Sequence, residues 1–355
     1  MKPGEEMQGG TKRRIQTMTE LSKRIEVSRP TLARYFEDPG SVMPSTAKKI
    51  RDRLADVDYV YNFLATRQNR KSTGLIGVVV PHYRDMFFAS LLDAVQQAAV
   101  EAGFTIFTQS SRGDVATEAA AVEKLRSMNV DGAIVAPLGG ADSTRTLALA
   151  GRDFPIVFVD SEPAAPMPGS DFIGTDNRSS VGSMVDFLCR TGDAPVFLGM
   201  PRLNSNAAAR EEAYAAAMRG AGFEPHLVDT AGVPGSWRFE EYGYDVMSGH
   251  FSRGRHADAT ILCANDRVAI GAIRAANQYG LFGRGAGDRR ALRIAGHDDH
   301  PLSRYISPAL TTVAQDIDGI GRGAVDLLVE RTRGGRSGAG TRVLKDAALR
   351  LRESG

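Results

Sequence analysis

Arg29, Thr31 and Arg34 place two cations and a hydroxyl within six residues of the segment Ser28 to Phe36 (SRPTLARYF), where the apolar Leu32 leaves them to point the other way. Charge and hydrogen-bond donors on one side of a short helix suit contact with phosphates and base edges in a major groove. A second concentration of chemical groups, Gly296-His297-Asp298-Asp299-His300, has the residue types of a metal site. Two histidines and two aspartates in four successive positions of one short loop cannot all face one ion, so no metal is expected. Gly283, Gly285 and Gly287 follow a helix rather than joining a strand to one, which is not the context of a dinucleotide fingerprint. No serine stands in a G-x-S-x-G setting, and no histidine–carboxylate–nucleophile set is evident. Neither a catalytic centre nor a cofactor is expected.

The elements that must position the arginine face are short. Thr17 can cap a first helix, with Glu20 at capping-box spacing and Leu21 and Ile25 four apart on one side. Glu26-Val27 makes a turn. Ser28 can cap the second helix, and Pro30 falls in its first turn, where a missing N–H costs little. The pair is a helix-turn-helix. A third helix is expected over Ser45 to Asp56, with Ala47, Ile50, Leu54 and Val57 inward and Lys48, Lys49, Arg51 and Arg53 outward. Residues 1–16, including Lys12-Arg13-Arg14, read as a flexible start, and residues 61–73 as a polar, basic linker.

From Gly74 the texture changes. GLIGVVVP (74–81) is a continuous apolar strand of the kind buried on both faces. Further strands are expected at 104–109, 130–136, 155–160, 171–175, 195–199, 225–229, 259–264, 292–296 and 310–314. Amphipathic helices such as 88–102, 117–128, 207–221 and 267–279 lie between them. The alternation predicts a doubly wound parallel α/β body, and its length predicts two lobes with a ligand between them at the carboxyl ends of strands.

Of 355 residues, 42% are hydrophobic and 24% charged, which fits a globular protein with ample core and excludes a disordered chain. No apolar run reaches the length of a membrane span, and the N-terminus has no signal-peptide pattern. The two cysteines, Cys189 and Cys263, are expected to be reduced core residues, in keeping with a cytoplasmic location. Residues 1–74 hold 15 Lys/Arg against 9 Asp/Glu, while the remainder holds 29 against 33. A basic head on a mildly acidic body suits phosphate binding by the head alone.

The order of parts resembles the LacI/GalR family of bacterial transcription regulators across residues 17–355. VSRPTLARYFEDPGSVMPST resembles the family's V-S-x-x-T-V-S-R-V-L-N…V-S-x-x-T headpiece, and Asn62-Phe63-Leu64-Ala65 its N-x-x-A hinge. Asp85-Met86-Phe87-Phe88 is similar to its N-P-F-F loop, Val130-Asp131-Gly132 to its V-D-G, and Arg210 to Tyr214 to R-x-x-G-F. Ala264-Asn265-Asp266 with Ala269 and Gly271 resembles A-N-D-x-x-A-x-G. GHDD (296–299) with PALTTVAQ (308–315) resembles G-Y-D-D…P-x-L-T-T-V-x-Q. The resemblance implies a homodimer that binds a near-palindromic operator in double-stranded DNA and a small-molecule effector.

Carried over, DNA contact falls to Thr17, Ser28, Arg29, Pro30, Thr31, Arg34, Asn62, Ala65 and Gln68. Arg29 can form the bidentate contact that arginine makes with guanine, and Pro30 can offer an apolar contact to a thymine methyl. Ala33 and Glu37 depart from the family's serine and asparagine. Gln68 stands where the family has a leucine wedge; a glutamine is a poor wedge, which weakens the expectation of a strong central kink.

Effector contact is implied for Asp85, Phe87, Phe88, Asp160, Arg210, Trp237, Asn265, Asp298 and Gln315. This set suits a polyhydroxylated ligand. Trp237 can stack on a sugar ring or simply pack between the lobes; Arg210 would also hold a sugar acid, and Phe88 with Trp237 a purine. No leucine heptad follows the last strand, expected at 342–352, so a dimer is expected.

The sequence thus predicts a headpiece (17–60), a hinge (61–73) and a two-lobed, periplasmic-binding-protein-like body (74–355). Lobe 1 is expected over about 74–173 and 315–340, and lobe 2 over about 174–314 and 341–355. The function expected is a carbohydrate-responsive transcription regulator, most simply a repressor. The alternatives are a solute-binding protein or a regulator answering to a purine or nucleoside.

Overall fold

A computed structural model of the chain describes residues 14–61, 72–151, 154–282, 292–334 and 338–355. Lys12 and Arg13, the hinge residues Asn62, Ala65 and Gln68, and Gly283, Gly285 and Gly287 lie outside the described residues. The chain divides into two compact units, Met1–Thr73 and Gly74–Gly355.

In the first unit, helices α1 (Met18–Ile25), α2 (Arg29–Glu37) and α3 (Pro44–Leu54) enclose Leu21, Ile25, Leu32 and Ile50, each essentially without exposure. Arg14-Ile15, read from sequence as part of a flexible start, instead forms a short strand β1 parallel to β2 (Asp58–Tyr59). Burial of Ile15 against the helix core explains the difference.

Lobe 1 of the second unit is a parallel sheet of β3 (Leu75–Val80), β4 (Thr105–Ser110), β5 (Gly132–Val135), β6 (Ile156–Val159), β7 (Asp171–Thr175) and β12 (Arg342–Lys345), ordered β12-β7-β6-β5-β3-β4. Helices α4 (Met86–Glu101), α5 (Val115–Ser127), α6 (Ala141–Ala150) and α11 (Ile317–Thr332) cover it. Every residue of β3 is buried, as a strand covered on both faces requires.

Lobe 2 carries α7 (Asn177–Thr191), β8 (Val196–Leu198), α8 (Ser205–Gly220), α9 (Phe239–Phe251), β9 (Thr260–Cys263), α10 (Asp266–Gln278) and β10 (Arg293–Ala295). Beside them an antiparallel pair joins β11 (Thr312–Gln315) to β13 (Ala347–Arg350). The chain passes between lobes at 175–177, 315–317 and 345–347.

Two expectations need correction. The strand expected at 225–229 is reduced to an isolated bridge between Phe197 and Leu227; Pro225 removes a ladder donor, and Leu227 is 55% exposed. The strand expected at 342–352 is two strands in different lobes: β12 pairs with β7, whereas β13 pairs with β11. Residues 342–345 therefore belong to the lobe 1 sheet, not to lobe 2.

Candidate functional site

The headpiece holds its arginine face by local chemistry. Thr17 Oγ1 accepts the Glu20 N–H at 3.1 Å, and Glu20 Oε2 accepts the Gln16 N–H at 3.3 Å. The turn into α2 puts Glu26 in the left-handed region at φ +49°. Arg53 Nη1 secures it, donating to the Ile25 carbonyl at 2.7 Å and to the Glu26 carboxylate at 2.8 Å. Arg53 is thus committed to the turn, unlike the outward role expected for it; Lys48, Lys49 and Arg51 remain exposed. Ser28 Oγ accepts the Thr31 N–H at 3.4 Å and bonds the Thr31 hydroxyl at 2.8 Å, so α2 starts with its cap satisfied. Leu32 and Tyr35 are buried while Arg29, Pro30 and Arg34 are exposed.

In the body, strand ends and helix starts deliver side chains into one place. Asp85 caps α4, Asp160 follows β6, Arg210 lies on α8, Trp237 precedes α9, Asn265 caps α10, Asp298 follows β10 and Gln315 ends β11. These seven, with Phe87 and Phe88 from α4, line a single cavity of about 40 Å³ between the lobes, room for little more than a water or two. All nine body residues implied by the sequence converge there. The cavity also takes in Met200, Asn204, Asn206, Phe239, Arg267 and His300, which the sequence reading missed. Asn206 had a usable signal, standing one helical turn before Arg210; the others had none.

Most polar groups of the cavity are already engaged. Arg210 donates to Asn177 Oδ1 (3.0 Å), the Ala264 carbonyl (2.8 Å) and Asp298 Oδ1 (2.9 Å). Asp298 also accepts from Gln315 Nε2 at 2.7 Å. Burial alone would raise the Asp298 pKa, but Arg210 and the His297 contact overcome it and hold the carboxyl at about 2. Arg267 crosses from α10 to Asp85 Oδ2 at 2.8 Å and grips Glu240 with two bonds of 2.7 Å. It also donates to the Trp237 carbonyl at 3.0 Å and lies 5.0 Å over the Phe239 ring. Close helix packing makes this reach possible: a Cβ on Gly271 would meet the Glu240 carbonyl at 2.0 Å, so only glycine lets α9 and α10 approach so nearly.

Acceptor capacity remains in the cavity. Asp160 takes one bond, from Asn206 Nδ2 at 3.0 Å, and burial pushes its pKa up to about 7. Asn204 Oδ1 is buried without a partner. Asp160, Asp298 and Asp299 have φ of +65°, +121° and +52°. Such strain in non-glycine residues concentrates at binding and catalytic sites.

Trp237 is half-buried and packs on the cores of both lobes. Its ring meets His82 edge-on at 5.1 Å and covers Gly113 so closely that a Cβ there would lie 2.2 Å from the indole nitrogen. The lobe-packing reading of Trp237 is therefore realised alongside its place in the cavity wall.

One constellation escaped the sequence. Ser180 Oγ lies 2.9 Å from His297 Nε2, and His297 Nδ1 lies 3.0 Å from Asp298 Oδ1. Ser180 is 2% exposed inside α7 and does not line the cavity, and burial drives the His297 pKa down to about 4. The chain is thus a structural brace, with no nucleophile offered to a ligand. The rest of the GHDDH run diverges: Asp299 pairs with Arg352 at 2.6 Å, and His300 caps a short turn.

A profile of the Periplasmic binding protein domain family matches residues 76–336. The HTH-type transcriptional regulator reg1 of Streptomyces lividans is 28% identical over 331 residues, 89% of this chain and 90% of that protein. The ribose operon repressor of Escherichia coli is 25% identical over 317 residues, 89% and 92% of the two chains. Among solved structures, the lac repressor dimer bound to operator and the anti-inducer ONPF superposes with a TM-score of 0.78 at 23% identity, covering 96% and 99% of the two chains. The CelR–cellobiose complex gives 0.65 at 22%, covering 96% and 100%. At these identities the structures attest the fold.

Proposed function

The chain belongs to the Periplasmic binding protein domain family, in its LacI/GalR branch of helix-turn-helix transcription regulators, and from this we propose that it is a DNA-binding repressor governed by a small molecule held between lobes 1 and 2. It acts as a homodimer, each headpiece (17–60) presenting Arg29, Pro30 and Arg34 to one half-site through the hinge (61–73). Binding, not catalysis, is its work. No helix among the described residues is long and apolar enough to cross a membrane. As a regulator of operator DNA it works in the cytoplasm.

The effector is a neutral, hydroxyl-rich carbohydrate. The observation that carries this is the state of the cavity's polar groups: both arginines are spent on Asp298, Asp85 and Glu240, while Asp160 and Asn204 stand ready to accept. A ligand that supplies donors meets unclaimed partners; a sugar acid would have to strip an arginine from a buried carboxylate. The carbohydrate named for the ribose operon repressor and the cellobiose of the CelR complex agree with this class.

A thermal-shift screen against neutral sugars, sugar acids, polyols and nucleosides tests it. A ligand at about a hundred times its Kd adds roughly 2.7 kcal/mol to stability. A neutral sugar should shift the melt and change operator affinity, and Arg210→Ala should lose that response while still binding operator. Stabilisation by nucleosides alone, or by sugar acids alone, would overturn the carbohydrate reading.

A further inference from the structure

A second cavity that spans the two lobes is larger than the one described above. On the far side of the Asp160–Asn206 contact lies a cavity of about 580 Å³ beside the crossing strands, against about 40 Å³ in the effector cleft. Its size falls within the usual range of small-molecule sites. Lobe 1 supplies Glu162, Phe172 and Arg342; lobe 2 supplies the start of α7 and one side of α8. The space exists because α8 turns Ala208, Ala209, Ala213 and Ala216 towards it, where longer side chains would fill it.

The walls have a definite chemistry. Arg342 is held by three contacts to Glu162, at 2.6, 3.0 and 3.1 Å, with its guanidinium carbon 5.8 Å from the Phe172 ring, making a fixed planar platform. With Arg342 neutralised by Glu162, the opposite wall carries Asp176 and Glu212 against Arg178, and Asp160 lies at the boundary. Asp160, 7% exposed, and the exposed Glu212 at the rim have no cation at ion-pair distance among the described residues. The walls hold four carboxylates, Asp160, Glu162, Asp176 and Glu212, against two guanidinium groups, Arg178 and Arg342, and such an excess favours an ammonium or a hydroxyl donor.

The partition between the cavities is a hydrogen-bond chain. Arg210 donates to Asn177, Asn177 Nδ2 to Asn206 Oδ1, and Asn206 Nδ2 to Asp160, each at 3.0 Å. Its last link crosses from lobe 2 to lobe 1. A ligand that captures Asp160 from the hinge side competes with Asn206, and the rearrangement reaches Arg210. Any such coupling is reciprocal.

We propose that the hinge-side cavity is a second small-molecule site, taking an amine-bearing, polyhydroxylated ligand of hexosamine size, coupled to the effector cleft through Asn177 and Asn206. The ammonium pairs with the carboxylates of the Asp160 and Glu212 wall, and the ring lies between the alanine face of α8 and the Arg342 platform.

The test is isothermal titration of the full chain with glucosamine, with glucose as the neutral control of the same ring. Glucosamine should bind at least roughly tenfold more tightly than glucose, and Glu212→Gln should weaken it by about tenfold. Ala209→Phe, which fills the cavity from α8, should abolish binding, with folding checked by circular dichroism and Ala216→Leu as the substitute if it fails to fold. Trp237→Phe, which alters a wall of the effector cleft and none of this cavity, should leave the titration unchanged. Equal binding of the two sugars, no binding of glucosamine, or loss on Trp237→Phe with Glu212→Gln unaffected would overturn the site. Sugar binding that Ala209→Phe leaves intact belongs to the effector cleft, so failure of this site is distinct from failure of the effector reading.

Discussion

Arg267 Nη1 sits 2.8 Å from Asp85 Oδ2, an ion pair between α10 of lobe 2 and the cap of α4 in lobe 1. The aspartate is 7% exposed and spends its other oxygen on the Phe87 N–H at 3.0 Å. Removing one partner of a buried pair strands the other charge, which typically costs 3–5 kcal/mol. Arg267→Ala should therefore destabilise the body by about 3 kcal/mol in urea melts. Adding Asp85→Asn should recover part of the loss, with a coupling energy above about 1 kcal/mol in a double-mutant cycle. Additive effects would show that the two lobes are not held by this pair.

Gly113 bears on the same closure from the other side. At φ +71° and with Trp237 2.2 Å from where a Cβ would stand, a valine there is both strained and in collision with the indole. Gly113→Val should expel Trp237 from its seat between the lobes. Trp237 is the only tryptophan, so intrinsic emission reports this directly. A red-shifted maximum, close to that of a solvated indole, is expected without ligand; an unchanged spectrum would mean that the contact is not formed in solution.

The alternation of strands and helices was legible because each element's period is written in its own residues. Caps such as Thr17 and Ser28 were legible for the same reason: the donor and acceptor are three positions apart. The ion pair of Arg267 and Asp85 was not, since the partners are 182 residues apart and nothing near either marks the other. Likewise Val343, Leu344, Ala347 and Leu349 read as one apolar-rich strand, and only pairing with β7 and then β11 shows that it changes lobes at Asp346. The nine cleft residues were found through motifs shared with a family, whereas the state of their hydrogen bonds needed three dimensions. That state favours a ligand that brings donors, the polyhydroxylated class expected from the residue types, over a sugar acid.

Proton linkage offers a third check. Burial lifts Asp160 and Asp266 from 3.8 to about 7. Between those values the folded chain binds protons that the unfolded chain has released, so both groups make stability fall as pH rises from about 4 to 7. His297, lowered from 6.5 to about 4, acts in the opposite sense over most of that window, because the unfolded histidine takes up the proton. The net slope is therefore a poor readout, and the difference between variants is a good one. Asp160→Asn should gain stability relative to the parent as pH is raised from 4 to 7.5, measured by urea unfolding at each pH. A difference that stays flat with pH would show that Asp160 is ionised normally in the fold.

The headpiece makes its own prediction. Arg29 is the first residue of α2 and is exposed, and its backbone is fixed by the Ser28 cap and the Arg53 brace behind the turn. A guanidinium held at a helix start can take both acceptors of a guanine, a contact worth roughly 1–3 kcal/mol against other bases. Arg34, five residues further on and also exposed, projects from within α2 rather than from its start and suits a phosphate. The two substitutions should then differ in kind. Arg29→Ala should weaken binding to the selected operator by about 1–3 kcal/mol and relax the choice at one base pair in each half-site, while Arg34→Ala should weaken all sequences alike and reduce the salt slope by about one for each phosphate no longer neutralised. Binding-site selection followed by fluorescence anisotropy at several salt concentrations separates these outcomes. Retention of base preference by Arg29→Ala would move the reading of sequence to another residue of α2.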